Sequence, residues 1–387
     1  MKNFNYSIPT KVHFGKGQIE NLALSIKEYG NKVLIVYGGG SIKKIGLYDV
    51  IIKIIKDAEI SYVELDGVQP NPTIEKVCEG VEACKENNID VVLAVGGGSV
   101  IDCAKVIAAG ANYDGDPWDL VLDPSKIDKV LPIITILTLA ATGSEMDKYA
   151  VISNNETKDK IGTGHKNMIP KVSILDPEYT YTVPKDQTAA GVADIMSHIF
   201  ESYFNTGVFT DIQDGIAETL LKTCIEYGEI AFNEPENYEA RANLMWASSL
   251  AINGLISYGT DENEWSVHPM EHELSAYYNI THGIGLAILT PFWMKYILND
   301  DTVDKFAQYG VNVWGIDRGL DKYTIANRAI KRTYNFFRKL EMPATLSEVG
   351  IGTENLNVMA VKAARGLDNA YVPLSEKDVL NIFKAAL

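Results

Sequence analysis

Two stretches of this chain share one form: a run of β-branched and apolar residues ends in Gly-Gly-Gly-Ser and leads into a longer amphipathic segment. Lys32–Tyr37 (KVLIVY) runs into Gly38-Gly39-Gly40-Ser41, and residues 90–95 (DVVLAV) run into Gly96-Gly97-Gly98-Ser99. A strand that is apolar at nearly every position must be covered on both faces, which is the condition of a parallel sheet sandwiched between helices. The surrounding chain repeats the alternation. Residues 45–58, 73–87 and 100–109 have helical periodicity, and Ser61–Leu65, residues 131–137 and Val172–Leu175 read as further strands. After Pro184 the texture changes. Residues 187–204, 212–228, 238–255, 267–277, 284–297, 303–309, 323–340 and 376–387 all carry helical periodicity. A chain of 387 residues exceeds the usual single-core size. The expectation is an α/β N-terminal dinucleotide-binding domain over 1–184, with a Rossmann-like parallel sheet, and an all-helical C-terminal domain over 185–387.

The glycine turns carry a second implication. Glycine lets the backbone take positive φ and approach a ligand closely, and the helix that follows presents unpaired N–H groups and a partial positive charge. The turn at 96–99 is therefore expected to cradle a pyrophosphate, although it is not the GxGxxG fingerprint. For either turn alone, a plain tight βα connection is the competing reading. At the ribose end the residues leave two options open. Asp66, at the end of the next strand, could hold the 2′-hydroxyl of NAD. The 38–41 turn with Lys43 and Lys44 instead offers N–H groups, a hydroxyl and positive charge, which suits a 2′-phosphate.

The helical half holds a different constellation. Asp194 and His198 are four apart, His268 and His272 are four apart, and His282 follows, so four of the chain's six histidines fall in one set. A spacing of four places both side chains on one helix face. Carboxylate and imidazole donors without thiolate suit Fe(II), Zn(II), Mn(II) or a similar ion. Chance pairing of surface histidines is the competing reading. The chain is poor in histidine elsewhere, and an acid accompanies the first histidine, which favours the metal.

Charge and cysteine usage bound the class. The net charge of −16, from 35 basic and 51 acidic residues, argues against nucleic acid or an anionic membrane as partner. No stretch of about 18 uncharged apolar residues appears, so no membrane span is expected. Cys78, Cys84, Cys103 and Cys224 show no CxxC spacing and read as reduced thiols of a cytoplasmic protein. The first residues lack the apolar core of a signal peptide.

The quoted residues are similar to a known family. Residues 96–105 (GGGSVIDCAK), 138–145 (TLAATGSE), 176–180 (DPEYT), 188–201 (TAAGVADIMSHIFE) and 268–291 (HPMEHELSAYYNITHGIGLAILTP) resemble the iron-containing (metal-dependent) alcohol dehydrogenases. Within them the chain resembles the NADPH-dependent butanol dehydrogenase and aldehyde reductase branch. The resemblance implies Asp194, His198, His268 and His282 as metal ligands, with His272 just outside them on a proton path. It implies Gly38, Gly39 and Ser41 around the adenosine 2′-phosphate, where NAD-using relatives tend to carry an aspartate, and Asn71 near the adenosine. It implies Gly97, Gly98 and Ser99 on the pyrophosphate and Asp102 near the nicotinamide, with Thr138, Thr142, Lys160 and Tyr179 completing the cofactor cleft. Two positions depart from the family's pattern. Pro269 follows the third ligand where many relatives have glycine, which places His268 at a helix start. Asp147 follows TGSEM where some relatives carry a smaller or amide residue.

The expected activity is hydride transfer between NADP(H) and a short-chain primary alcohol or aldehyde such as butanol or butanal. One divalent ion, Fe(II) or Zn(II), would polarise the substrate oxygen. Leu139, Leu255, Ile256 and Trp265 are candidate walls for an aliphatic chain. The rivals are a polyol (glycerol-type) dehydrogenase, a dehydroquinate-synthase-like lyase and a non-catalytic sensor. The lyase would need basic residues for an acidic substrate, and residues 254–291 contain no Lys or Arg. The N-terminal KVHFGKG segment reads as a strand able to pair with its twin, so a homodimer is expected.

Overall fold

A computed structural model describes residues 1–260 and 263–387. By internal contacts the chain divides into two compact units. One comprises Ser7–Val183 and Pro235–Asn253, the other Met1–Tyr6, Pro184–Glu234 and Gly254–Leu387. The expectation placed one cut, at 184. In the structure, the helix beginning at Tyr238 belongs to the α/β unit and the first six residues belong to the helical one.

In the α/β unit the order is β1 (Lys11–Phe14), α1 (Leu22–Lys27), β2 (Lys32–Tyr37), α2 (Ser41–Lys44), α3 (Leu47–Asp57), β3 (Ser61–Leu65), α4 (Ile74–Asn87), β4 (Val91–Gly96), α5 (Gly98–Gly110), α6 (Trp118–Leu122), β5 (Ile133–Leu137), β6 (Tyr149–Asn154), β7 (Asp159–Gly164) and β8 (Val172–Leu175). Six strands form a parallel sheet in the order β1-β8-β5-β4-β2-β3, and β6 and β7 form an antiparallel pair. Side chains alternate faces along a strand, and both faces here are buried. Leu34, Val36, Val92 and Ala94 enter one apolar cluster, whereas Val33, Ile35, Val91, Leu93 and Val95 enter the other. That is why these strands read as continuous apolar runs. The β6–β7 hairpin escaped the sequence reading. In β7, Lys160 and Thr163 are buried among polar or glycine residues that break the alternation.

The strand order reverses at β2: the chain leaves it for β3 on one side and returns to β4 on the other. In open α/β sheets the crevice outside the carboxyl ends of the strands at such a reversal is where ligands bind. Both Gly-Gly-Gly-Ser turns stand there, one after β2 and one after β4.

The helical unit contains α7 (Lys185–Tyr203), α8 (Asp211–Asn233), α10 (Val267–Tyr278), α11 (His282–Ile297), α12 (Val303–Asn312), α13 (Lys322–Lys339), α14 (Leu356–Ala363) and α15 (Glu376–Ala385), while α9 (Tyr238–Ile252) belongs with the sheet. Helix α7 is buried at every position from Thr188 to Tyr203. A helix that is buried all round is a central element, and this one carries Asp194 and His198. Among the described residues, no helix is long and apolar enough to cross a membrane.

Candidate active site

The dinucleotide side is built by backbone. Helix α5 starts at Gly98, two residues earlier than the periodicity indicates, and among the described residues no side chain caps it. Its first turn contains no acid, so the start retains the character of an anion site. A Cβ on Gly98 would meet Thr142 Oγ1 at 2.3 Å, and one on Gly97 would meet Leu139 Cβ at 3.2 Å. The backbone N–H of Thr138 donates to Gly96 O at 3.0 Å. Thus Thr138, Leu139 and Thr142, in the loop after β5, close over the same turn. Around Gly39 and Gly40 a Cβ would meet nothing within 4 Å, and Gly40 has φ +100. That turn is open on its outer side.

Asp102, one turn into α5, is buried. It accepts from Ser144 Oγ at 2.6 Å and from the Val151 N–H at 2.9 Å. Burial raises its carboxyl to about 6, against the pull of Lys105 and Ser144. Asp147 is buried and paired. It accepts from Lys105 Nζ at 2.7 Å, and both side chains are buried. Asn71 has φ +56 beside Pro72, whose carbonyl accepts from the Ser153 N–H at 2.8 Å; Ser153 in turn pairs with Lys160 across β6 and β7. Asn71 and Lys160 are therefore held in one neighbourhood. Tyr179 packs against the apolar cluster that contains Tyr37 and Ile42, and burial raises its hydroxyl to about 12.

At the ribose end, Lys43 Nζ lies over the rings of Tyr37 and Tyr48, 4.9 and 4.8 Å from their centroids. Both tyrosine hydroxyls donate to Glu64, at 2.7 and 2.8 Å. Lys43 is thus engaged with two rings beside a carboxylate, which sequence alone did not indicate.

The metal side is built by side chains. Asp194 and His198 come from α7, His268 and His272 from α10, and His282 from the first position of α11. Asp194 Oδ1 lies 3.6 Å from His198 Nε2, 3.8 Å from His268 Nε2 and 3.7 Å from His282 Nε2. These separations are too long for hydrogen bonds. Asp194 Oδ1 and His268 Nε2 are buried with no hydrogen-bond partner among the described residues. Buried polar atoms left bare are rare, whereas donors about 2.1 Å from a common tetrahedral cation stand roughly 3.4 Å apart. The donor atoms of Asp194, His268 and His282 all lie within 4.8 Å of one another. The residues fit a divalent cation.

Electrostatics point the same way. Burial opposes charge on Asp194, but the imidazoles of His198, His268 and His282 outweigh it and bring the carboxyl to about 2. Burial lowers His198 to about 4, so it is a neutral donor at neutral pH. Burial also acts against charge on His268, but Asp194 and Glu201 prevail and raise it to about 9. A positive charge is therefore favoured at the centre of this group.

Two acids that the sequence reading passed over complete the site. Glu201 is bonded to Nδ1 of His268 at 3.2 Å, and Glu271 to Nδ1 of His282. Both carboxylates are buried. The available signal was an acid in each of two stretches, 186–221 and 242–294, that contain no Lys or Arg. The His272 ring stands 6.4 Å from that of His268 and 5.7 Å from that of His282, beside the donors. Trp265 lies 4.7 Å from the His268 ring. Pro269 is the third residue of α10, inside the first turn as expected, where its missing N–H has no intrahelical use.

Comparison with known proteins gives the class and then the family. Residues 9–177 match the model described as iron-containing alcohol dehydrogenase, and residues 188–387 match the C-terminal model of the Fe-containing alcohol dehydrogenase family. The chain is 63% identical over 387 residues to NADH-dependent butanol dehydrogenase A of Clostridium acetobutylicum, covering 99% of each. It is 41% identical over 366 residues to NADPH-dependent aldehyde reductase YqhD of Escherichia coli, covering 94% of this chain and 93% of the relative. The crystal structure of NADH-dependent butanol dehydrogenase A from Thermotoga maritima superimposes with a TM-score of 0.95 at 40% identity, covering 100% of this chain and 99% of the other. These are enzymes that interconvert alcohols and aldehydes. The chain belongs to the iron-containing alcohol dehydrogenase family, and alcohol–aldehyde oxidoreduction with a metal and a nicotinamide cofactor is its activity class.

Proposed function

We propose that the chain reduces short-chain aldehydes such as butanal to primary alcohols, and the reverse, using NADP(H) and one divalent ion, Fe(II) or Zn(II). The observation that carries this reading is the bare Asp194 Oδ1 ringed by three imidazole nitrogens at 3.6–3.8 Å. When bound, the cation would polarise the substrate oxygen and the nicotinamide would supply or accept hydride. Asp194, His198, His268 and His282 hold the ion. Gly97, Gly98 and Ser99 hold the pyrophosphate, with Thr138 and Thr142 closing over them. Asp102, fixed by Ser144 and Val151, lies toward the nicotinamide; Gly38, Gly39 and Ser41 hold the adenosine end, with Asn71, Lys160 and Tyr179 around the cofactor. His272, beside two of the donors, passes the proton to the product oxygen. Trp265 walls the substrate's aliphatic part.

The cofactor preference rests on the open outer side of the 38–41 turn and the lack of a carboxylate within it, which leaves room for a 2′-phosphate. A second reading, NADH, is favoured by two observations. Lys43 is occupied with Tyr37 and Tyr48 beside Glu64, and the relative at 63% identity is named for NADH. Initial rates with NADPH and NADH across aldehydes of two to six carbons, and with glycerol in the reverse direction, separate these readings. A higher kcat/KM with NADPH and butanal supports the first, preference for NADH the second, and preference for glycerol the polyol alternative.

We also propose a homodimer in the cytoplasm. Strand β1 is the sheet's edge, paired only with β8 within the sheet, and an unpaired edge is a template for a second strand.

A further inference from the structure

The donors are not held equally. His268 and His282 each direct Nε2 toward Asp194 while Nδ1 is bonded to a buried glutamate, Glu201 and Glu271 respectively. His198 Nδ1 is buried without a hydrogen-bond partner among the described residues. Each glutamate is itself held. Glu201, on α7, accepts from the backbone N–H groups of Ser266 at 2.9 Å, Val267 at 2.7 Å and His268 at 3.0 Å. It thereby supplies, from another helix, the cap that α10 lacks from its own side chains. Glu271 accepts from Ser275 Oγ one turn along α10. A ring nitrogen that donates to a carboxylate fixes the imidazole's tautomer and orientation and leaves the other nitrogen's lone pair for a ligand.

We infer that Glu201 and Glu271 are positioning residues for the cation. They lock His268 and His282 as Nδ1–H tautomers with Nε2 directed at Asp194. Glu201 also ties that orientation to the start of α10, so the fold of the helix and the geometry of its histidine are set by one carboxylate. The inference rests on the metal reading of the site. Together with Asp194, the two glutamates place three carboxylates around three imidazoles, in a stretch where residues 254–291 offer no Lys or Arg. A cation is the group such a shell accommodates.

The test is competition between the metal-free protein and a chromophoric chelator for Zn(II) and Co(II), with the visible spectrum of the Co(II) form and the thermal midpoint of each metal-free protein recorded alongside. Glu271→Gln is expected to bind both ions about 10–100-fold more weakly, with an altered Co(II) spectrum and an unchanged metal-free midpoint. Glu201→Gln should show the same loss together with a lowered midpoint, because α10 loses its cap. Should either variant fail to fold, Ser275→Ala, which only loosens Glu271, should still weaken binding several-fold. Glu218→Gln is the control: that buried acid accepts from Tyr203, Gln308 and Asn312, so its midpoint should fall with metal affinity intact. Affinities of the Glu271 and Glu201 variants within about twofold of wild type would overturn the positioning role. A wild-type protein that binds neither ion would instead overturn the metal reading itself.

Discussion

The candidate ligand surface of the α/β unit is made from what its residues lack, and that of the helical unit from what its residues hold. At the 96–99 turn the useful groups are backbone N–H donors, exposed because three successive residues have no side chain and because Thr142 fills the space a Cβ on Gly98 would take. At the Asp194 cluster the useful groups sit at the ends of side chains from three helices, two of them, His268 and His282, bonded to other side chains that fix their direction. A backbone site depends on local chain geometry and tolerates no added atom. A side-chain site depends on distant partners and is damaged mainly by losing them.

Three substitutions sharpen or break this contrast. The largest effect is expected at His272, which stands beside the donors without being counted among them. His272→Ala should lower turnover by about 10²-fold while metal content, measured by emission spectroscopy, stays at the wild-type level. Loss of metal in that variant would move His272 into the ligand set. The next is Gly98→Ala, whose Cβ would stand 2.3 Å from Thr142 Oγ1. Overpacking of this kind costs roughly 1–3 kcal/mol. Dinucleotide affinity by fluorescence titration should fall about tenfold or more, with Zn(II) affinity unaltered. Equal damage to both ligands would mean that the two sites do not depend on separate kinds of structure.

The third concerns a buried acid of the α/β unit. Burial raises Glu145 from 4.5 to about 7, although Ser249 Oγ donates to it. Its folded-state value exceeds the unfolded one, so the folded protein holds this proton more tightly. Stability is therefore greatest below about 4.5 and falls as pH rises toward 7. Asp102, raised from 3.8 to about 6, acts in the same direction over a lower window. Glu145→Gln should flatten the decline in unfolding free energy between about pH 5 and 8 by on the order of 2–3 kcal/mol, read by urea denaturation. An identical pH slope in the variant would show that Glu145 is not the group responsible.

The same contrast explains what could be read from sequence. The inner sheet strands were legible because burial on both faces removes polar residues, so β2 and β8 carry the bounds expected of them. Asp194 with His198, and His268 with His272, were legible through the helical spacing of four, a local regularity; that His268 and His282 rather than His272 join the first pair came from the family resemblance, and Asp194 Oδ1 faces the three other donors in the structure. The carboxylates behind them were not, since Glu201 is 67 residues from the histidine it orients and no local period links the two. Lys43 was only partly legible for a related reason. Its charge is visible in the sequence, but the tyrosine rings that engage it come from β2 and α3. Asp147 read as a departure near the cofactor, and only packing shows its carboxylate committed to Lys105.

The most direct test of the central claim is aldehyde reduction by the purified protein, followed as oxidation of NADPH and of NADH with butanal. The assay is run before chelation, after chelation to a metal-free state, and after return of Fe(II) or Zn(II). The account predicts activity that disappears with the ion and returns with one of the two. Undiminished turnover in protein shown to be metal-free would contradict it.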